Sequence, residues 1–294
     1  MKKRYLNGLL GLILVLSIAL LFQNCGSEFT SRAPSGLSVS SSSQGIISGP
    51  PSSLPPGPQP VPSSTSGPAG QDASLYTLAF NEDFNSMNTA VWNDHMWYDS
   101  SNATQNWAID NGVLKIWPQR DANGNFFNRT FDTDGKYYQT YGYFEIEAKQ
   151  PIGKGVWPAF WIFNHIDSRR PEIDILESYP GGGPNSGWGD SSLHPVAYGA
   201  TIWLDAGVQG GFKMIQTPDL SAAFHKYGLK WEPNKQTFYF DGKEVYSANV
   251  SMPDPMYIMV DLWFGSASGS PDNSTPTGIG NSYQINYVRS WKFK

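Results

Sequence analysis

The chain has 294 residues, with 20 Lys and Arg against 25 Asp and Glu, a net charge of −5 and a pI near 5.3. An acidic balance argues against nucleic acid as the partner and disfavours densely sulfated polymers, which an acidic surface repels unless a local basic patch such as Arg169-Arg170 overrides it. A single cysteine, Cys25, excludes an internal disulfide, and the sequence has no catalytic-zinc spacing, no phosphate-cradling glycine loop and no Gly-x-Ser-x-Gly elbow.

The chain opens on Met1-Lys2-Lys3-Arg4, followed by an apolar run over residues 9–22. That run is shorter than the roughly 20 residues a bilayer span needs, so residues 1–25 read as a secretory signal peptide, with a retained anchor helix as the alternative. Cys25 lies just beyond the run, where it resembles the acylated first residue of a bacterial lipoprotein. The preceding Phe22-Gln23-Asn24 departs from the usual pattern of Leu first and a small residue last. Gly26 and Ser27 follow, not Asp, so inner-membrane retention is not signalled. The expectation is an exported protein of the cell envelope, an outer-membrane lipoprotein or an extracellular one, touching a membrane only through lipid on Cys25. Residues 26–74 form the next unit: 30 of the residues from Gly26 to Ala73 are Ser, Gly or Pro, too few apolar groups to order themselves. This stretch reads as a flexible tether.

Residues 75–294 hold all 11 tryptophans. Strand-length apolar runs recur at 113–117, 141–148, 159–163, 173–177, 200–204, 226–231, 237–240, 256–264 and 284–293, and no segment sustains a helical period. Asp110-Asn111-Gly112, Asn123-Gly124 and Asp241-Gly242 are turn signals of the kind that close hairpins. The spacing predicts an all-β fold, a two-sheet antiparallel β-sandwich forming a single domain.

Within it, Glu172-Ile173-Asp174-Ile175-Leu176-Glu177 interleaves three acids with branched apolar residues. Alternation along a strand puts Glu172 and Asp174 on one face and Ile173 and Ile175 in the core. Glu177 breaks the parity, and an extra residue near Ile175 or Leu176, a β-bulge, returns it to the polar face. Paired carboxyls on one face suit a retaining glycosidase; a solvated acidic strand is the alternative. Trp157 and Trp161, four apart, share a face, as do Asp261 and Trp263, two apart, and indoles stack on the C–H faces of sugar rings. Trp188, in the loop after the acids, is a candidate for the cleft rim. Core packing is the alternative for each of these tryptophans.

These acids, together with Gly142-Tyr143-Phe144-Glu145, Trp157-Pro158-Ala159-Phe160-Trp161, Phe224-His225-Lys226-Tyr227 and Phe238-Tyr239-Phe240-Asp241-Gly242, resemble glycoside hydrolase family 16. The resemblance covers essentially all of residues 75–294. It implies a curved jelly roll with a concave groove, and the six-residue acid motif is similar to the bulged form of laminarinase-like members. On that pattern Glu172 is the nucleophile, Asp174 its electrostatic assistant and Glu177 the acid/base. The resemblance further implies substrate contacts at Trp157, Trp161, Asp261 and Trp263, with Asp261 standing where Asn is usual, and a sugar-binding amide at Asn106. It implies hydrolysis of a β-linked polysaccharide, a β-1,3- or mixed-linkage glucan, with another polysaccharide such as agar or an exopolysaccharide as the alternative and a non-catalytic carbohydrate-binding jelly roll as the competing reading; the expectation is a monomer that needs no cofactor for catalysis. Tyr198-Gly199-Ala200-Thr201-Ile202-Trp203 lacks the His-Tyr ending of many laminarinases. Many members hold a structural calcium away from the cleft. Asp83 stands at the first position of that site, and Asn286 replaces the usual Asp at another. His225 reads as a buried, hydrogen-bonded structural residue.

Overall fold

The computed structural model describes residues 67–182 and 193–294. The signal segment, Cys25, most of the tether and Trp188 lie outside the described residues.

The strands are, in chain order, β1 (Tyr76–Glu82), β2 (Trp107–Asp110), β3 (Val113–Ile116), β4 (Arg129–Asp132), β5 (Gly142–Lys149), β6 (Val156–Phe163), β7 (Glu172–Glu177), β8 (Ala197–Asp205), β9 (Val208–Gln216), β10 (His225–Glu232), β11 (Lys235–Phe240), β12 (Lys243–Ala248), β13 (Tyr257–Phe264) and β14 (Tyr283–Phe293). They build two antiparallel sheets. The eight-stranded sheet runs β12-β11-β10-β5-β14-β3-β2, with β1 added to β14; the six-stranded sheet runs β4-β13-β6-β7-β8-β9. This is the expected sandwich.

Alternate residues of both sheets meet in the middle. Phe144 and Ile146 of β5, Leu229 of β10 and Val288 of β14 pack in one buried cluster with Phe160 and Ile162 of β6, Ile173 of β7, Ile202 of β8 and Val260 of β13. Each such side chain contributes about 1.5–3 kcal/mol by leaving water, which fixes which face of every strand turns inward. Two of the expected turns are two-residue hairpin loops. Asn111 and Gly112 (φ 52° and 75°) join β2 to β3, and Asp241 and Gly242 (φ 48° and 77°) join β11 to β12. Positive φ at both central positions matches the twist of the flanking strands, and Asn-Gly and Asp-Gly adopt it at least cost. Asn123-Gly124 instead turns a short loop, closed by an isolated bridge between Arg120 and Phe126.

The packed domain begins before residue 75. Ala69 N–H donates to Glu145 Oε2 at 2.9 Å, Gly70 lies so close to Gly242 that a Cβ there would stand 2.1 Å from the Gly242 carbonyl oxygen, and Lys294 N–H donates to Leu75 O at 3.0 Å. Glu145 alternates with the core residues Phe144 and Ile146, so residues 67–75 lie on the outer face of the eight-stranded sheet.

Candidate active site

The six-stranded sheet turns its other face outward, and β7 lies near its middle. Along β7 the register advances three residues from Asp174 to Glu177 while β8 advances two, from Thr201 to Gly199, and β6 advances two, from Trp161 to Ala159. That mismatch is a β-bulge at Ile175 and Leu176, both in the core cluster. Apolar burial drives it: a regular strand would bury the Glu177 carboxyl and expose Leu176. Glu172, Asp174 and Glu177 consequently share the outer face.

The three acids form one hydrogen-bonded row, with Asp174 bonded to both Glu172 and Glu177. Trp203 Nε1 donates to Asp174 Oδ2 at 3.1 Å. Glu177 Oε1 accepts from Tyr179 Oη at 2.9 Å and Trp157 Nε1 at 3.1 Å, and Glu177 is also bonded to Thr201. Burial raises all three acids. Asp174 is pushed well above the carboxylate range, with the charges of Glu177 and Glu172 adding to the effect, and it keeps its proton to donate to Glu172. Glu172 rises to about 8, through burial and then the Glu177 charge, against the lowering bond from Asp174. Glu177 rises to about 6, because its donors offset part of the burial. The row shares protons, and at rest they favour Glu172 over Glu177, the reverse of what a nucleophile and a general acid need, so the reaction requires a proton to shift along the row to Glu177.

The register places the predicted aromatics. Trp157 pairs across β6–β13 with Trp263, and both indoles are partly open and meet edge to face at 5.5 Å. Trp161 differs from expectation. It is 7% exposed, packed with Met96, Phe163, Tyr257 and Met259, and its Nε1 donates to Asp261 Oδ2 at 2.7 Å, so it forms floor beneath the groove and not an open platform. Asp261 is itself 2% exposed, and burial holds its carboxyl well above the usual range. Asn106 also differs: it is fully buried, its oxygen accepts from Arg129 Nε at 2.7 Å and its amide reaches the Trp117 carbonyl, so the protein itself occupies the predicted sugar-binding amide.

The side chains around Asp83 do not fit a calcium cage. Asp83 Oδ1 accepts from Arg289 Nη2 at 2.6 Å and Oδ2 from Asn81 at 2.7 Å, while Asn286 donates to Glu147. Among the described residues no three His, Cys, Asp or Glu side chains converge on a metal position. His225 bonds Asp241 and stacks on Phe240, as expected of a structural residue, but it is half-buried and not buried.

Tyr179, Trp203 and Thr201 were not singled out in the sequence. Strand parity supplied a signal for two of them, since Thr201 and Trp203 alternate with the apolar Ala200 and Ile202, and Tyr179 lies two residues beyond Glu177.

The family model for glycosyl hydrolases family 16 matches residues 85–289. The chain is 28% identical over 257 residues to the endo-1,3-1,4-beta-glycanase ExsH of Rhizobium meliloti, covering 75% of this chain and 52% of that protein. It is 26% identical to a beta-glucanase of Rhodothermus marinus, over 68% of this chain and 75% of the relative. The chain spans about half the length of the Rhizobium relatives it matches. Its fold is that of the endo-beta-1,3-glucanase of Pyrococcus furiosus, with a TM-score of 0.62 at 23% identity over 80% of this chain and 99% of that one. The laminarinase of Flavobacterium sp. UMI-01 is similar too, at a TM-score of 0.60 and 24% identity, over 74% and 100%. An acid strand bulged between its carboxyls on a two-sheet sandwich and a family match over most of the folded residues agree: the chain belongs to glycosyl hydrolases family 16.

Proposed function

We propose that this protein is an endo-acting, retaining β-glycanase that hydrolyses a β-1,3- or mixed β-1,3-1,4-linked glucan. The bulge in β7 carries the reading, because only with it do all three acids face the groove. Glu172 attacks the anomeric carbon and forms the glycosyl-enzyme bond while Glu177 gives its proton to the departing glycosidic oxygen. Glu177 then takes a proton from water as that water displaces Glu172, and the β configuration is retained. Asp174 holds a proton against Glu172 and steadies the carboxylate as its charge changes. Glucanase relatives support the choice of polymer, as does a groove edged by Trp157 and Trp263. Glu172→Gln is expected to abolish turnover of laminarin and lichenan. Glu177→Ala is expected to recover with azide on substrates whose leaving groups need no proton. Unchanged turnover in either variant, or α-configured early product by NMR, overturns the assignment.

Export and acylation at Cys25 are proposed on the sequence alone, from the basic start, the short apolar run and the placement of the cysteine. Cys25→Ser is expected to leave an unprocessed precursor or to release the enzyme. Wild-type protein recovered soluble in the medium and cut elsewhere than before Cys25 would refute it.

A further inference from the structure

The β9 edge of the six-stranded sheet carries aromatic surface that the acid site does not use. Phe212 is 47% exposed although its strand is well paired. Its register partner is Thr201, which is bonded to Glu177, and residues directly opposite on antiparallel strands share a face, so Phe212 lies on the same outer face as the acids. One row of paired residues crosses the sheet as Met259, Trp161, Asp174, Thr201 and Phe212. Phe212 stands two strands from Asp174, roughly 10 Å away, a distance that a short run of pyranose rings spans. Met214, in the adjoining row with Gly199 and Glu177, lies on the same face beside it.

The strand is held from behind. The Tyr246 hydroxyl of β12 bonds the Phe212 backbone, and a Cβ on Gly211 would stand 2.5 Å from the Tyr246 oxygen, so the absence of a side chain there lets β9 seat against β12. Burial does not require an aromatic at this position, since Phe212 lies outside the core cluster. An exposed ring in line with a carbohydrate groove suits the apolar C–H face of a sugar.

We propose that Phe212, with Met214 beside it, is a stacking platform for a sugar ring of the polymer at the β9 end of the groove. It lengthens the binding surface past the acids and favours long chains over short ones. The occupant is the substrate chain itself, because the surface is continuous, residue by residue, with the row containing Asp174. The inference rests on the β-glucanase reading.

Binding without turnover separates the two. In the Glu172→Gln background, retardation of the protein by laminarin and by lichenan in affinity gels measures polymer binding. Adding Phe212→Ala is expected to weaken it about 3- to 10-fold, the range set by one lost aromatic contact. Phe212→Leu, which keeps apolar bulk but no ring face, should lose as much, and Phe212→Trp should bind at least as well as Phe212. Equal retardation with and without the Phe212→Ala substitution overturns the platform and leaves the glucanase reading standing, as does full binding by the Leu variant. Failure of Glu172→Gln itself to bind any β-glucan overturns the glucanase reading and the platform with it. If Phe212→Ala instead removes self-association in sedimentation while glucan binding is unchanged, the patch is an interface between copies and the proposal is wrong.

Discussion

At the scale of single residues, the acid row is a source of instability that the rest of the fold must offset. A carboxyl whose folded pKa lies above its unfolded value binds a proton more tightly in the native state. Its contribution to stability is fully present below the ordinary glutamate value of 4.5 and is lost as pH rises through the folded value, about 6 for Glu177 and about 8 for Glu172. Urea midpoints are therefore expected to fall as pH rises from 4.5 to 8. Glu172→Gln should flatten that slope and exceed wild type at pH 8 by on the order of 1–2 kcal/mol, a discount for the part of Glu172 that water reaches. A wild-type stability independent of pH over that window would contradict the burial of these acids. The acids were legible because alternation and its break lie within one short stretch of chain. The donors that tune them were not, since Trp203 and Thr201 come from β8 and depend on register, which is a property of two strands together. Asn106 misled for a related reason: its partner, Arg129, comes from β4, and nothing near Asn106 in the chain announces it.

At the scale of the element, β7 makes a parity argument that can be tested by deletion. Removing Leu176 alone would leave Glu-Ile-Asp-Ile-Glu, a regular alternation in which the last acid still faces the groove. Removing both Ile175 and Leu176 would turn that acid toward the core. The single deletion is expected to fold at a cost of about 2–5 kcal/mol for the lost buried side chain and to keep measurable turnover. The double deletion is expected to lose all turnover and most of its stability, as read by activity on lichenan and by thermal melting. Equal activity in the two would mean that Glu177 does not work from the groove face. Strands with dense apolar runs, such as β5, β6 and β13, were legible in advance. β4 and β9 were not, because Arg129–Asp132 has Phe131 as its one apolar residue and Val208–Gln216 is Gly-rich, and both lie at the edges of the six-stranded sheet where only one neighbour constrains them. β12 hid for the same reason, with Lys243 and Glu244 exposed on the edge of the other sheet.

At the scale of the molecule, residues 67–75 are part of the folded unit. Glu145 is 2% exposed and takes one bond from Ala69 and one from Tyr287 at 2.8 Å. A protein starting at residue 76 would lose the first of these and uncover a carboxyl whose pKa burial has raised. It is expected to be less stable than one starting at residue 67 by about 1–3 kcal/mol in urea titration, with the same pH optimum. Equal stability of the two would make the segment a passive lead-in. The outer face of the eight-stranded sheet and the outer face carrying the acids are the two opposite sides of the sandwich. Ala69, bonded to Glu145, therefore stands behind the enzyme, on the side away from the acids. Whatever holds the protein there, be it lipid, matrix or a chemist's resin, grips it by the back, and a long polymer can slide along the front without ever having to thread past its support.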